Sequence, residues 1–230
     1  MSRLAVFDLD NTLLSGDSEV LWVEYLLERA LLDARQAGAN AEMDRRYRAG
    51  TATPAEFSSF YASTLAGRSA AEWQPVLAAF IATCIRPRLP DAATALVRTH
   101  HERGDLLVLS TASSRFLSAP TARLLGFEHL IATELQVDAG GRFTGATQGT
   151  LNMRAGKVER LQQWLRARGN NAPAALASAT FYSDSINDLP LLAAVGEPVV
   201  VDPDARLRAQ ARALGWPVLA LERAPFSFLT

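Results

Sequence analysis

The sequence predicts an α/β protein with a doubly wound, Rossmann-like and mainly parallel sheet and a small helical cap domain inserted after the first strand. Short apolar runs alternate with helical patterns through most of the 230 residues, which is typical of parallel strands covered by helices on both faces. The segment from residue 16 to residue 87 interrupts this alternation, because its patterns are mostly helical. We therefore expect residues 1–15 and 88–230 to form the core domain and residues 16–87 to form the cap.

Four short apolar runs are the expected core strands. They span residues 4–7, 106–109, 179–182 and 198–201. A polar residue follows each run, and these are Asp8, Ser110, Ser183 and Asp202. Ligands of open parallel sheets bind outside the carboxyl ends of the strands, so this edge is the expected functional site.

Helical patterns near these strands end at glycine. They cover residues 91–103, 156–168, 189–195 and 204–214. The residues that follow them are Gly104, Gly169, Gly196 and Gly215. Glycine readily adopts the left-handed conformation that often ends a helix, and each of the four is expected in that position.

The predicted cap contains three helix starts. Val20, Val23 and Leu27 share one face of a helix that is expected to begin at Asp17 or Ser18. Two capping boxes follow, at residues 53–56 and 69–72, where a hydroxyl and a glutamate satisfy free amide groups at a helix start.

A β-hairpin is expected between residues 132 and 150. Leu135, Val137 and Phe143 alternate with polar residues around the sequence Asp-Ala-Gly-Gly at 138–141. Alternation around a glycine-rich turn is typical of two antiparallel strands.

Composition narrows the function classes. The chain has 23 basic and 24 acidic residues, a net charge of −1, and no run of Lys or Arg, so a nucleic-acid partner is not expected. No apolar stretch reaches the roughly 18 to 20 residues that span a bilayer, and the first residues lack the apolar segment of a signal peptide. The single cysteine, Cys84, has no internal disulfide partner and is expected in the core. We therefore expect a cytoplasmic protein without membrane partners.

Two acidic clusters follow predicted strands. Asp8 and Asp10 come directly after the first strand, and Asp184 and Asp188 follow the run at 179–182. Each cluster alone could be a turn or a helix cap. Together they bring up to four carboxylates to one sheet edge, a donor set that favours Mg²⁺ over Zn²⁺.

Hydroxyl and ammonium groups accompany the carboxylates. Ser110 and Thr111 follow the second strand, where a hydroxyl could also cap a helix. Lys157 lies in the first turn of a predicted helix, although a cation there opposes the helix dipole. An anion nearby would offset this, and phosphate fits a site that also holds a hydroxyl and a divalent cation.

These motifs resemble those of the haloacid dehalogenase-like hydrolase superfamily. The resemblance rests on Asp8-Leu9-Asp10-Asn11-Thr12, Ser110-Thr111, Gly156-Lys157 and Asp184-Ser185-Ile186-Asn187-Asp188, in that order. It spans nearly the whole chain. The helical insertion resembles the small C1-type cap of the phosphoserine phosphatase-like subgroup, subfamily IB.

The resemblance implies a role for each motif. Asp8 would be the nucleophile that forms an aspartyl-phosphate, and Asp10 the general acid and then the general base. Thr111, or Ser110 in the other register, would bind phosphoryl oxygens together with Lys157. Mg²⁺ would be held by Asp8, the backbone carbonyl of Asp10 and Asp184, with Asp188 in support.

The expected activity is Mg²⁺-dependent hydrolysis of a small phosphorylated metabolite. Asp17 occupies the position where phosphoserine phosphatases carry a glutamate for the substrate amine, and Arg115 is a second candidate substrate contact. No arginine in the cap clearly matches the one that holds the phosphoserine carboxylate. The resemblance therefore favours an amino-alcohol phosphate such as histidinol phosphate.

Three alternatives stay open at the level of sequence. Phosphoserine is the alternative substrate, and a phosphotransferase or mutase is the alternative enzyme. The non-enzymatic alternative is a receiver-like signalling module, which also carries a phosphorylated Asp, a hydroxyl and a Lys. Receivers are about half as long, lack a cap and place metal-binding acids before the phosphorylated Asp.

Overall fold

Seven strands form one sheet in the computed structural model, which describes residues 3–223. In chain order they are β1 (Leu4–Phe7), β2 (Leu106–Ser114), β3 (His129–Val137), β4 (Phe143–Gln148), β5 (Thr180–Ser183), β6 (Glu197–Val201) and β7 (Val218–Leu219). Their order across the sheet is β4-β3-β2-β1-β5-β6-β7. Neighbouring strands run parallel except β3 and β4. The prediction of a mainly parallel sheet is confirmed.

Ten α-helices accompany the sheet within residues 3–223. They are α1 (Ser18–Glu28), α2 (Gln36–Arg48), α3 (Pro54–Ser63), α4 (Ala70–Phe80), α5 (Asp91–Glu102), α6 (Arg115–Leu124), α7 (Ala155–Arg166), α8 (Ala172–Ala177), α9 (Leu189–Leu192) and α10 (Ala205–Leu214). A π-helical turn (Ile81–Ile85) and a 3₁₀ turn (Arg86–Arg88) join α4 to α5, and a second 3₁₀ turn (Ile186–Asp188) precedes α9. None of these helices is both long and apolar enough to cross a bilayer.

Helices cover both faces of the sheet because successive side chains of a strand point to opposite faces. On β1, Phe7 is fully buried in one apolar cluster with side chains of α1, α4, α5 and α6. Its neighbour Val6 is fully buried in a second cluster with side chains of α7, α8, α9 and α10. The central strand is therefore buried on both faces, and only its carboxyl end leads to polar residues.

The segment between β1 and β2 contains the helices α1 to α5. The starts of α1, α3 and α4 agree with the sequence signals, whereas the start of α2, which has no side-chain cap, was not predicted. Asp17 accepts hydrogen bonds from the amides of Glu19 and Val20 and caps α1. Both capping boxes are formed, at the starts of α3 and α4. The division into a core of residues 1–15 and 88–230 and a cap of residues 16–87 stays our proposal.

Two sequence expectations about local structure were wrong. The second strand continues to Ser114, five residues beyond the predicted end, because its later residues still pair with β3 across an irregular register. Gly196 does not have the positive φ of Gly104, Gly169 and Gly215. A Cβ at residue 196 would lie 2.0 Å from the carbonyl oxygen of Ala177, so this glycine permits close backbone packing instead.

The predicted hairpin is present as β3 and β4, which are antiparallel. The sequence did not reveal that β3 begins at His129 and first runs parallel to β2. The same strand thus serves the core sheet and then the hairpin.

Candidate active site

A cavity of about 250 Å³ lies at the carboxyl edge of β1 and β5. It is bounded on the other side by Asp17, which precedes α1, and by residues of α2 and α3. Its walls contain eight aspartates but only two cationic side chains, and they are formed by Asp8, Asp10, Asn11, Asp17, Asp44, Tyr47, Arg48, Phe57, Ala112, Ser113, Lys157, Asp184, Ser185, Asp188, Asp202 and Asp204. The structure thus brings the acidic clusters and Lys157 together.

Lys157 joins the two acidic clusters. Its Nζ donates to Oδ1 of Asp8 at 2.7 Å and to Oδ2 of Asp188 at 2.6 Å. All three side chains are buried, and Lys157 is the one lysine of the chain. Burial alone would lower the pKa of Lys157, but the negative charges of Asp188 and Asp8 outweigh it and raise that pKa above its ordinary value. The ammonium therefore stays charged beside the nucleophile candidate.

Asp8 lies at the end of the central strand, where its amide still donates to the carbonyl of Tyr182 on β5. Burial raises the pKa of Asp8 to about 7, and the ammonium of Lys157 opposes this shift. A cation against the carboxylate would favour its ionised form further.

Thr12 connects the first acidic cluster to the second. Its hydroxyl donates to Oδ1 of Asp184 at 2.9 Å and lies 3.3 Å from Oδ2 of Asp8. The same oxygen accepts the amide of Asp184 at 3.0 Å. Burial and the negative charge of Asp8 raise the pKa of Asp184 well above its usual value. Lys157 thus pairs with Asp8, whereas the carboxylate of Asp184 is held by the hydroxyl of Thr12.

Asp10 lies beside a group of hydroxyls. Its Oδ2 accepts from Ser113 Oγ at 2.6 Å and from Thr111 Oγ1 at 3.2 Å. Its Oδ1 accepts the amide of Ser18 at 2.8 Å. These bonds fix the carboxyl group at the cavity wall, two residues beyond Asp8.

The sequence reasoning missed Ser113, whose side chain lines the cavity. Thr111 and Ser110 are fully buried behind it, and the Ser110 hydroxyl accepts a hydrogen bond from Asn152. The signal was present in the serine pair at 113 and 114 before α6, but the strand was expected to end earlier. Phosphate binding by Thr111 or Ser110 stays a prediction.

The side of the cavity formed by Asp17, α2 and α3 carries both charge and aromatic surface. Asp17 and Asp44 contribute carboxylates, and Tyr47 and Phe57 contribute rings whose centroids are 4.2 Å apart. Burial, followed by the negative charge of Asp10, raises the pKa of Asp17 well above its usual value. Among these residues, the sequence had singled out Asp17 alone.

Arg48 lines the same side, where the sequence showed no clear substrate-binding arginine. Its Nε donates to Oδ1 of Asp44 at 2.8 Å, one helical turn earlier. The guanidinium is therefore already paired with a carboxylate at the cavity wall.

Arg115 lies outside the cavity, which corrects its assignment as a substrate contact. Its Nε donates to the carboxylate of Glu134 at 2.9 Å, and its Nη2 donates to the carbonyl of Leu130 at 3.1 Å. The extension of β2 to Ser114 carries Arg115 past the sheet edge and onto β3.

The residues at the sheet edge fit a hard divalent cation. Within residues 3–223, no three His, Cys, Asp or Glu side chains form a metal-binding cluster by themselves. The carboxylates of Asp8, Asp184 and Asp188 lie at this edge and could supply oxygen donors. An all-oxygen set with few protein ligands suits Mg²⁺, which keeps several waters and binds substrate phosphate.

A family model described as haloacid dehalogenase-like hydrolase matches residues 5–193. This range includes Asp8, Asp10, Lys157, Asp184 and Asp188. The match therefore covers both acidic clusters and the lysine between them.

Relatives and a solved structure agree with that match over almost the whole chain. A histidinol-phosphatase of Neisseria meningitidis is 39% identical over 220 residues, which are 95% of this chain and 99% of the relative. A phosphoserine phosphatase, SerB1, of Mycobacterium tuberculosis is 31% identical over 95% of this chain and 70% of its own length. The crystal structure of a protein of unknown function from Bordetella pertussis superposes with a TM-score of 0.88 at 40% identity, covering 95% of this chain and 99% of that one.

Proposed function

The chain belongs to the haloacid dehalogenase-like hydrolase family and is a phosphatase, and from this premise we propose that it hydrolyses histidinol phosphate with Mg²⁺. The observation that carries the choice of substrate is the cavity itself. Its lining includes Asp8 and Lys157 on the side of the sheet edge, and two carboxylates and two aromatic rings on the opposite side, from Asp17, Asp44, Tyr47 and Phe57. The phosphate group of the substrate would bind beside Asp8 and Lys157, and a cationic, aromatic organic group would bind beside the carboxylates and the rings.

In the proposed first step, a carboxylate oxygen of Asp8 attacks phosphorus. The bond between phosphorus and the ester oxygen breaks, and the carboxyl group of Asp10 donates its proton to the departing alkoxide. The products are a free alcohol and a phosphoryl group on Asp8. The hydrogen bond of 2.6 Å from Ser113 to Asp10 supports this role, because it orients the carboxyl group at the cavity wall.

In the second step, water attacks the phosphoryl group on Asp8. Asp10, now ionised, takes a proton from that water, and the bond between phosphorus and the Asp8 oxygen breaks. Inorganic phosphate leaves and Asp8 returns to its free form. Lys157 supports both steps, since its charge lies where the phosphoryl oxygens gain negative charge.

Asp8, Asp184 and the Asp10 carbonyl would hold the Mg²⁺, and Asp188 would support it. When bound, the cation neutralises phosphate charge and favours in-line attack. Lys157, Ser113 and Thr111 would complete the phosphate contacts. Thr12 would keep the carboxylates of Asp8 and Asp184 in place.

The side of the cavity that carries Asp17, Asp44, Tyr47 and Phe57 supports an amino-alcohol phosphate with an aromatic ring. The ammonium of histidinol phosphate would pair with Asp17 or Asp44, and its imidazole would pack against Tyr47 and Phe57. A cation near an aromatic face or a buried carboxylate is stabilised there. The acidic character of this side disfavours substrates with a second anionic group.

Phosphoserine is the second candidate, and one observation favours it. Arg48 lines the cavity and could hold a substrate carboxylate. To do so it would have to exchange its bond with Asp44 for the ligand. Histidinol phosphate makes no such demand, so it is our first choice.

A panel of phosphomonoesters tests the proposal. Phosphate release is measured from histidinol phosphate, phosphoserine, phosphoethanolamine and p-nitrophenyl phosphate, with Mg²⁺ or with EDTA. We expect the highest kcat/KM for histidinol phosphate, loss of turnover in EDTA and background rates for Asp8→Asn. Turnover that survives in EDTA or in Asp8→Asn would overturn the mechanism.

Two variants separate the substrates. Asp17→Asn keeps a good helix cap and removes the charge, and it should reduce kcat/KM for histidinol phosphate but not for p-nitrophenyl phosphate. Arg48→Gln should have little effect on histidinol phosphate. A specific loss of phosphoserine turnover in Arg48→Gln, with phosphoserine the best substrate, would favour the second candidate.

Added alcohols distinguish hydrolysis from phosphoryl transfer. A hydrolase releases one phosphate for each alcohol formed, whereas a transferase produces a new ester at the expense of phosphate. We expect equal amounts of the two products. The receiver-like alternative is not retained, because the chain belongs to a hydrolase family. A cytoplasmic location stays a prediction.

A further inference from the structure

Arg223 uses all of its side-chain N–H donors at one place. A guanidinium has five such donors in a rigid plane. Its Nε donates to Oδ2 of Asp202 at 2.8 Å. Its Nη atoms donate to the loop that follows Asp10, at the carbonyls of Asn11, Thr12 and Leu14 and the hydroxyl of Ser15, over 2.8–3.2 Å.

That loop, residues 11–15, positions groups of the candidate active site. Asn11 has a φ of 57°, an uncommon value for a residue other than glycine. Thr12 carries the hydroxyl that contacts Asp8 and Asp184. Arg223 donates to the carbonyls of Asn11 and Thr12 at 2.8 Å each. A displacement of its guanidinium would therefore also displace the Thr12 hydroxyl that lies between the two carboxylates.

Asp202 anchors the guanidinium to the sheet. It follows β6, has a φ of 40° and lines the cavity. Its Oδ2 also accepts the amide of Leu221 at 3.3 Å. The sequence showed Asp202 as a strand-ending aspartate, but none of the proposed catalytic steps uses it.

We infer that Arg223, held by Asp202, is a positioning residue that fixes the loop of residues 11–15 and thereby the hydroxyl of Thr12 between Asp8 and Asp184. The inference rests on the proposed phosphatase function. A lysine cannot replace the guanidinium, because an ammonium has three donors and cannot serve all five acceptors. The effect is on turnover, since Arg223 does not line the cavity where substrate would bind.

The test compares Arg223→Ala and Arg223→Lys with Arg160→Ala. Arg160 is a matched control because it is also mostly buried and donates to the backbone carbonyls of Ala132 and Thr150 and to Glu134, away from the cavity. With p-nitrophenyl phosphate, both Arg223 variants should lose kcat about 10- to 100-fold, the range that misplaced catalytic groups produce. Their KM should change less than about threefold. Arg160→Ala should keep kcat within about twofold, even if its Tm falls by as much as the Tm of Arg223→Ala.

Two further readouts separate positioning from general damage. Millimolar guanidinium should restore part of the kcat of Arg223→Ala and leave Arg160→Ala unchanged. Hydrogen exchange should become faster in the peptide that contains residues 11–16 for Arg223→Ala and stay unchanged there for Arg160→Ala.

Normal kcat in Arg223→Ala would overturn the inference, and so would equal losses in Arg223→Ala and Arg160→Ala. Unaltered exchange in residues 11–16 would overturn it as well. Failure of the proposed function is distinguishable, because the unsubstituted chain would then release no phosphate from any ester. In that case, the hydrogen-exchange comparison still tests the contact.

Discussion

Nζ of Lys157 lies 2.7 Å from Oδ1 of Asp8, although 149 residues separate them in the sequence. Asp8 follows the central strand β1, and Lys157 lies in the first turn of α7, which packs on one face of the sheet. The side chain of Asp8 is 9% exposed and that of Lys157 is 3% exposed. Water has little access to these buried charges, so removal of one partner would leave the charge of the other without compensation.

Removal of this ammonium should abolish efficient turnover. Lys157→Met leaves Asp8 and Asp188 buried without a cation, so the pKa of Asp8 should rise further and phosphate charge should lose its partner. We expect kcat/KM for p-nitrophenyl phosphate to fall by about 1000-fold or more and the free energy of unfolding to fall by about 3 kcal/mol. A variant with kcat/KM within about tenfold of the unsubstituted chain would contradict the proposed role.

The unique lysine also permits a direct titration. Labelling with [ε-¹³C]lysine gives one lysine signal, because Lys157 is the one lysine of the chain. In EDTA, that signal should keep the chemical shift of a protonated amine as the pH passes 10.5, because the negative charges of Asp188 and Asp8 raise the pKa of Lys157. Asp8→Asn removes one of these charges and should lower the pKa. Titration of Lys157 below pH 10 in the unsubstituted chain would be inconsistent with the ion pair.

Glu19 should make stability depend on pH. It is buried near Asp10 and accepts the amide of Ser114 at 2.8 Å. Burial raises the pKa of Glu19 from 4.5 to about 7. The folded state therefore holds this proton more tightly than the unfolded state, and the stabilisation is present below pH 4.5 and is lost as pH rises through 7.

Glu19→Gln keeps an oxygen acceptor for Ser114 and removes the titration. The free energy of unfolding of the variant minus that of the unsubstituted chain should be about 2 kcal/mol larger at pH 8 than at pH 5. Urea unfolding at the two pH values measures this difference. Glu102→Gln, on the exposed end of α5, controls for the loss of one negative charge. Parallel stability curves for Glu19→Gln and the unsubstituted chain would refute the prediction.

Arg115→Ala should leave substrate binding intact. The side chain contacts Glu134 and Leu130 rather than the cavity, and it is 43% exposed. We expect KM for histidinol phosphate to change less than about twofold and the free energy of unfolding to fall by no more than about 1 kcal/mol. A large rise in KM without loss of stability would restore Arg115 as a substrate contact.

Gly156→Ala should move Lys157 and slow turnover. A Cβ at residue 156 would lie 2.1 Å from the carbonyl oxygen of Leu151, so the start of α7 would have to shift. We expect a loss of kcat of about tenfold or more, since Lys157 is the next residue. Gly38→Ala, where a Cβ meets nothing within 4 Å, is the matched control and should keep normal kcat.

Local patterns sufficed for much of the fold. The apolar runs predicted four strands of the parallel sheet, and Asp17 and the two capping boxes predicted helix starts, because these features depend on residues within a few positions of each other. Because parallel strands end at the same edge of the sheet, the sequence also predicted that Asp8, Asp184 and Asp188 lie close together, as they do in the structure.

Packing between distant segments decided the remainder. Pairing with β3 carried β2 on to Ser114, which placed Ser113 at the cavity and took Arg115 away from it. The position of α2 against α1 and α3 added Asp44 and Tyr47 to the wall, and the chain beyond β7 brought Arg223 to the loop after Asp10. Apart from the serine pair at 113 and 114, these contacts leave no periodic or short-range signal, because the partners are far apart in sequence and meet only when the apolar faces of the helices and the sheet have packed.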